Sequence, residues 1–296
     1  MPTRELNSSP SMLPMFARAG VAMIPGASHL PFVGGGGQDI PDLRLRLTDV
    51  AIDSDRLTAY DRVCGFSLSD VLPPTYPHIL AFPLQLSLMT DPSFPFPAIG
   101  LVHIYNRITQ RRPIRASEKL QIDVWATPVE DHPRGKQFSL RSEARVGDEV
   151  VWEEISTNLR RGGGSEGATA PGRELPSAEE LPATATWSLP GDLGRRYGSV
   201  SGDFNPIHMH PLSARLFGFP SAIAHGMWTK ARCLAALEPR VPDAFTVEVA
   251  FKKPILLPGK VEFCEADDRG AAFNVSFGVR DPRKGSSHLD GLAFTG

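Results

Sequence analysis

The sequence predicts an α+β protein built twice from one plan, a helix followed by several sequential strands. Three observations carry that reading. Helical spacing gives way to alternating apolar residues in each of two blocks. Matched segments recur in the same order. A polar stretch rich in Gly, Ser and Pro separates the blocks.

The chain divides as an N-terminal arm (1–39), a first block (40–161), a linker (162–184) and a second block (185–296). Gly34-Gly35-Gly36-Gly37 closes the arm, because glycine lacks the Cβ restraint that stiffens other residues. Within the arm, the apolar stretch Met12 to Ile24 is broken by Pro14, Arg18 and Gly20, so it reads neither as a membrane span nor as a clean signal peptide. Gly162-Gly163-Gly164-Ser165 opens the linker, whose composition can bury little and predicts a surface segment.

In the first block, Ile79 to Met89 reads as a helix, with Pro83 an unusual interior residue. Strands are expected at about 99–109, 119–127, 136–146 and 149–158. In the second block, Pro211 fits the first position of a short helix that Gly218 closes. Met227, Ala231, Leu234 and Ala235 recur at helical spacing, and Pro239 and Pro242 stop that longer helix. Phe245, Val247, Val249 and Phe251 alternate as a strand with one buried face should. Val261 to Cys264, Phe273 to Val279 and Leu289 to Phe294 follow.

The blocks match each other. Tyr60 to Phe66 lies over Tyr197 to Asp203, and Arg112-Pro113-Ile114 over Lys253-Pro254-Ile255. Nearly equal offsets in one order point to duplication rather than chance.

Composition narrows the function. Hydrophobic residues are 41% and charged residues 22% of 296, ordinary for a globular protein. Lys+Arg is 31 against Asp+Glu 33, so broad electrostatic gripping of nucleic acid lacks its basis. Cys64, Cys233 and Cys264 are odd in number and share no metal spacing, which predicts free thiols in a reducing cytoplasm.

The chemistry concentrates in Tyr197-Gly198-Ser199-Val200-Ser201-Gly202-Asp203-Phe204-Asn205-Pro206-Ile207-His208. In a regular helix Asp203 and His208 would face apart. Gly202 and Pro206 favour a turn, on which both side chains can point into one cavity and handle a water or hydroxyl. Ala224-His225-Gly226-Met227-Trp228-Thr229 then opens the longer helix. A helix N-terminus has unpaired N–H groups and a positive dipole end, and a residue without a side chain lets a substrate carbonyl approach them.

These residues resemble the MaoC-like or hydratase-2 family, the (R)-specific enoyl-thioester hydratases and 3-hydroxyacyl-thioester dehydratases. The family pattern is roughly Y-x-x-x-S-G-D-x-N-P-x-H followed by H-G, carried here by Tyr197 to His208 and by His225-Gly226. The duplicated layout is similar to the family's double-hotdog members, in which two antiparallel sheets, merged or adjacent, each wrap a long helix. The resemblance implies a catalytic pair at Asp203 and His208, an orienting amide at Asn205 and polarisation of the thioester carbonyl by the Gly226 N–H. It implies an acyl-CoA or acyl carrier protein thioester as substrate, no metal or redox cofactor, and leaves a homodimer open. Where the family commonly reads H-x-D-P, this sequence has His208-Met209-His210-Pro211, which removes the usual acidic cap of the short helix.

The first block lacks this equipment. Phe66 stands where Asp203 stands, the stretch holding Asn205 and His208 has no counterpart, and His78 precedes Ile79 instead of glycine. One site per chain follows, with the apolar first half shaping a pocket for the acyl chain.

Each residue also has a plainer reading. Asp203 alone would be a turn cap; with Asn205, His208 and His225-Gly226 the catalytic reading is favoured. His225 reads as structural, fixing the loop before Gly226, and His210 as a surface or capping residue. Ser201 reads as a cap. Met227 and Trp228 read as core or pocket wall, and thus as candidate substrate contacts. Lys252 and Lys253 suit the phosphates of a CoA or phosphopantetheine carrier, or simply a solvated strand end. Cys64 reads as buried and inert. Two other classes stay open: a hotdog thioesterase directing water at the carbonyl carbon, and a non-catalytic thioester-binding subunit.

Overall fold

The computed structural model describes residues 1–21, 37, 39–267, 270 and 272–295. In chain order the elements are β1 (Thr3–Leu6), α1 (Met12–Val21), β2 (Arg44–Val50), α2 (Ser54–Cys64) and α3 (Tyr76–Met89). Next come β3 (Val102–Gln110), β4 (Leu120–Ala126), β5 (Glu130–His132), β6 (Gly135–Val146) and β7 (Glu149–Arg161). The rest are β8 (Ala183–Leu189), α4 (Leu193–Ser201), α5 (Pro206–Met209), α6 (Pro211–Leu216), α7 (Gly226–Leu237), β9 (Phe245–Phe251), β10 (Gly259–Asp267), β11 (Asn274–Arg280) and β12 (Ser287–Phe294). Of the expected glycine boundary, Gly34, Gly35 and Gly36 lie outside the described residues.

Two compact units result, and neither is one continuous stretch of chain. One comprises Met1–Ala51, Pro77–Ile104 and Glu118–Pro171; the other comprises Ile52–Tyr76, Tyr105–Ser117 and Gly172–Gly296.

In the first unit β2, β4, β6 and β7 pair antiparallel in that order. The expected arm contributes to this sheet: β1 pairs parallel with β2, Thr3 opposite Arg44. A four-residue strand gives too short a pattern to read from sequence. The helix expected at Ile79 to Met89 is α3, and it runs through Pro83. Its core residues Ile79, Ala81 and Leu84 are wholly buried. The polar groups buried beside them are mutually satisfied. His78 Nδ1 meets Glu154 Oε1 at 2.7 Å, and Gln85 Nε2 donates to Glu154 Oε2 and to Ser142 Oγ, both at 2.9 Å.

In the second unit the sheet runs β3-β9-β12-β11-β10-β8, antiparallel throughout, with residues Tyr105 to Gln110 of β3 paired to β9. Helix α7 lies against β11 and buries Met227, Trp228, Ala231 and Leu234. Lys230, fully buried on the same helix, places its Nζ 2.5 Å from Asn106 Oδ1 and 3.3 Å from the Val247 carbonyl, so the ammonium exchanges water for oxygen acceptors on β3 and β9.

Two local expectations need correction. Strand β9 is buried on both faces up to Val249, not on one, because Glu248 is covered by Arg107 and Arg173 at 3.7 and 3.2 Å and Thr246 Oγ1 meets Thr109 Oγ1 at 3.0 Å. The linker is largely exposed, but Ala178 and Leu181 are buried, and the Ala178 N–H donates to Asp290 Oδ1 at 2.8 Å.

The repeat is visible in backbone detail. The matched segments end helices α2 and α4, and each is closed by a left-handed glycine, Gly65 (φ 85°) and Gly202 (φ 81°), whose N–H bonds back to the carbonyl four residues earlier. These helices pack together in the second unit. Arg56 of α2 reaches the last carbonyls of α4, with Nε 2.8 Å from Val200 O, and the Tyr60 and Tyr197 rings lie 6.1 Å apart.

Candidate active site

Asp203 follows the glycine that ends α4. The Ser201 hydroxyl accepts the Asp203 N–H at 3.1 Å, and Asp203 Oδ1 accepts the Asn205 N–H at 3.1 Å, so the turn is tied by its own side chains. Ser201 is thus the cap the sequence suggested. Asn205 caps α5, its Oδ1 accepting from the Ile207 N–H at 3.4 Å. Pro206 occupies the first position of that short helix, and His208 sits within it, 9% exposed. The missing acidic cap of α6 is replaced by His210, whose Nδ1 accepts the Leu212 N–H at 3.2 Å.

The segment 222–224 fixes the imidazole. It is stitched to 255–257 by Ala224 N to Ile255 O (2.9 Å) and Leu257 N to Ala222 O (2.8 Å), and to α5 by Ile223 N to Ile207 O (3.1 Å). The Ile223 carbonyl therefore stands still while His208 Nδ1–H donates to it at 2.8 Å. A carbonyl only accepts, so Nδ1 carries the hydrogen and Nε2 is the bare nitrogen. Burial pushes the His208 pKa below its ordinary value, against the opposing pull of the Asp203 charge and the Ile223 carbonyl. The ring is accordingly neutral and ready to accept a proton.

His225 completes the cluster. Its ring stacks on His208 with centroids 3.7 Å apart and meets Tyr197 at a tilt of 53°, centroids 4.8 Å apart. Its Nε2–H donates to the Asp203 carbonyl at 3.1 Å and lies 3.8 Å from Asp203 Oδ2. Burial, with His208 next, holds its pKa well below the ordinary value, and its buried Nδ1 has no hydrogen-bond partner. The reading of His225 as a loop residue alone misses this contact. The two imidazoles lie 17 positions apart in sequence, and only the fold stacks them.

Asp203, His208 and His225 each place a ligand-type atom within 4.8 Å of the others. The set has the composition of a metal site, but its geometry is poor for one. Rings stacked with only 26° between their planes send their in-plane lone pairs side by side instead of toward one point. The arrangement is a carboxylate beside two stacked imidazoles.

Gly226 is the first residue of α7, after His225 as N-cap, so its N–H belongs to the orphan donors of the helix start. A Cβ there would sit 3.0 Å from two carbons of the Phe251 ring. The structure thus adds a second reason for glycine: the helix tip packs flush on β9. Met227 and Trp228 are buried, the latter donating Nε1–H to Val63 O at 2.9 Å. Lys252 Nζ lies 3.4 Å from Asp290 Oδ2 and Lys253 is exposed just past the end of β9. At the first-block match, Phe66 is buried and stacks on Tyr60 at 6.5 Å, filling space with carbon where Asp203 presents a carboxylate.

An acid, a neutral imidazole and a bared helix tip on a duplicated helix-and-sheet unit define the double-hotdog acyl-thioester enzymes as a class. The family model described as MaoC like domain matches residues 168–267, the span holding all of these groups. The chain is 37% identical over 264 residues to 3-hydroxyacyl-thioester dehydratase X of Mycobacterium tuberculosis, covering 89% of this chain and 92% of that one. A crystal structure of HtdX from the same organism superposes with a TM-score of 0.74 at 35% identity, covering 84% of this chain and 98% of that one. A second mycobacterial structure, described as having a double hotdog fold, gives a TM-score of 0.52 at 12% identity, covering 87% and 95%, and is alike in fold alone. The chain belongs to the MaoC-like dehydratase family. Among the described residues, no helix is long and apolar enough to cross a membrane.

Proposed function

We propose that the protein interconverts trans-2-enoyl and (R)-3-hydroxyacyl thioesters by adding or removing water. The observation that carries this reading is the fixed tautomer of His208 beside Asp203, close to the start of α7. The 37% identical relative, named a 3-hydroxyacyl-thioester dehydratase, supports it.

In the hydration direction the Gly226 N–H polarises the thioester carbonyl and stabilises the enolate that forms. His208 Nε2 takes a proton from water as the water oxygen bonds to the β-carbon. The pair enters this direction with one proton, on Asp203; the electron pair of the double bond moves to the α-carbon, which takes that proton and leaves the carboxylate. Proton exchange between the two side chains resets the pair. Dehydration is the reverse. Asn205 orients the turn that holds Asp203, and His225 supports the ring of His208.

One site serves each chain, since the first-block match offers only Phe66. The acyl chain runs from Gly226 along α7 toward a hollow of about 160 Å³ whose lining sets Phe66, Leu72, Leu234 and Phe245 beside the polar Gln110, Glu238 and Asp243. Gly226 and Leu234 are eight residues apart, about 12 Å along a helix. The three cysteines are free and buried, which suits a cytoplasmic setting.

The test is loss of the conjugated double bond of enoyl-CoAs of graded length. Asp203→Asn and His208→Ala are expected to lower kcat by about 10²–10⁴-fold while leaving the melting temperature within a few degrees. Full activity in both variants overturns the site. Release of free thiol instead of loss of the double bond overturns the reaction and favours a thioesterase.

A further inference from the structure

The second unit carries a hollow of about 370 Å³ that the proposed chemistry does not use. It lies between α2, β8, the start of α4 and the flank of α7. Arg62, Arg196 and Arg232 line it together with Trp187 and Trp228, and no Asp or Glu does. Some arginines of this unit are neutralised: Arg107, Arg173, Arg240 and Arg280 each pair with a carboxylate, whereas Arg56, Arg195 and Arg215 reach backbone carbonyls. Arg62, Arg196 and Arg232 have no such partner among the described residues.

Gathering like charges is costly unless an anion is to be received. The hollow is also organised. The Arg232 guanidinium lies 4.6 Å from the centre of the Trp187 ring, and Trp187 stacks on Phe263 at 5.0 Å with 13° between the planes. A guanidinium placed over an indole is restrained, and its planar fork of N–H groups matches phosphate oxygens better than a lysine ammonium does. With Arg232 and Phe263 both packed on Trp187, the wall offers charge and hydrogen bonds.

The hollow lies near the catalytic groups. Arg232 is six residues beyond Gly226 on α7, about 9 Å along the axis, and Trp228 stands between them. A thioester carbonyl at Gly226 would leave its carrier arm free to turn down this flank of the helix.

We propose that this arginine hollow binds the phosphates of the coenzyme A moiety, so that Arg62, Arg196 and Arg232 set the preference for CoA-borne substrate. Three cationic forks face the diphosphate and the 3′-phosphate, while Lys252 is drawn off by Asp290. The proposal rests on the lyase reading for its substrate.

The experiment compares one enoyl chain on three carriers: CoA, 4′-phosphopantetheine and unphosphorylated pantetheine. Calorimetry with CoA itself is run in parallel. The variants are Arg196→Gln, Arg62→Gln and Arg232→Gln, singly and together. The first two side chains are exposed, which keeps the test open should Arg232→Gln disturb packing. Each single change is expected to raise KM for the CoA thioester about threefold to tenfold with kcat held, and the triple variant more than a hundredfold. Pantetheine thioester kinetics should not move, and CoA binding in the wild type should weaken steeply with salt. An unchanged KM for the CoA thioester in the triple variant overturns the proposal. So does an equal loss on pantetheine, which marks general damage, or an equal loss on phosphopantetheine and CoA, which assigns the hollow to a carrier protein's single phosphate. If the wild type turns over none of the thioesters, the lyase reading fails. CoA calorimetry on wild type and triple variant then still decides the hollow.

Discussion

Gly226→Ala separates the two jobs assigned to the helix tip. The added methyl would meet Cδ1 and Cε1 of Phe251 at 3.0 Å and Cζ at 3.3 Å. Ordinary carbon contacts are about 3.5–4.0 Å, so helix, ring or both must yield by roughly half an ångström. Overpacking of this kind costs about 1–3 kcal/mol, or roughly 3–8 °C in melting temperature for a protein of this size. In the proposed mechanism the same shift moves the N–H that faces the thioester oxygen. Complete loss of such a donor costs about 10²–10³ in kcat, so partial misplacement should cost about 10–10²-fold. The assay is steady-state hydration of an enoyl-CoA beside thermal unfolding, for Gly226→Ala alone and combined with Phe251→Leu. The double variant should recover most of the stability. Activity that recovers with it assigns the defect to packing on β9. Activity that stays low places the methyl in the path of the substrate carbonyl. Wild-type activity and melting temperature in Gly226→Ala would refute the reasoning on both counts.

Other consequences are equally open to measurement. Because burial holds His208 below its ordinary 6.5, the base form persists into mild acid; the acid limb of kcat/KM should have its midpoint below pH 6.5, and a midpoint at or above that value contradicts the assigned environment. Asp61 is buried, its Oδ1 is without a partner, and burial with Glu238 nearby raises its pKa from 3.8 to about 7. The folded state then holds this proton more tightly than the unfolded chain, so its contribution is full below pH 3.8 and is lost as pH climbs to about 7. Asp61→Asn should therefore gain stability relative to wild type across that window, about 1–3 kcal/mol at neutral pH by denaturant titration; a difference that does not change with pH removes the argument. A Cβ on Gly194 would lie 2.0 Å from the His208 carbonyl oxygen, so Gly194→Ala should depress expression or activity far more than Gly226→Ala does.

Periodicity made most of the strands and the long helices legible, because burial repeats locally: β4, β6, β7 and α7 lie within a few residues of expectation. Helix α2 escaped that reading although its signals are present. Asp53 caps its start by accepting the Asp55 and Arg56 N–H groups at 2.9 and 3.0 Å, and Gly65 ends it. Its polar composition offers no clear apolar stripe. Strand β8 is exposed at four successive residues, so nothing alternates. At the site, the turn that joins Asp203 to His208 was readable because glycine and proline act through the local backbone. The stacking of His225, the acceptor role of the Ile223 carbonyl and the meeting of Arg62, Arg196 and Arg232 were not. Each joins residues far apart in the chain, and a carbonyl has no letter of its own.

The bond from His208 Nδ1 to Ile223 has a consequence for proton traffic. An imidazole in a relay can accept on one nitrogen and release from the other, passing charge through to the interior. Here one end is moored to the backbone, so the ring works as a single-ended carrier. In the proposed reaction, the proton it lifts from water departs by the door through which it came, toward the substrate side. On the proposed mechanism this ring therefore opens no route for the proton into the protein interior.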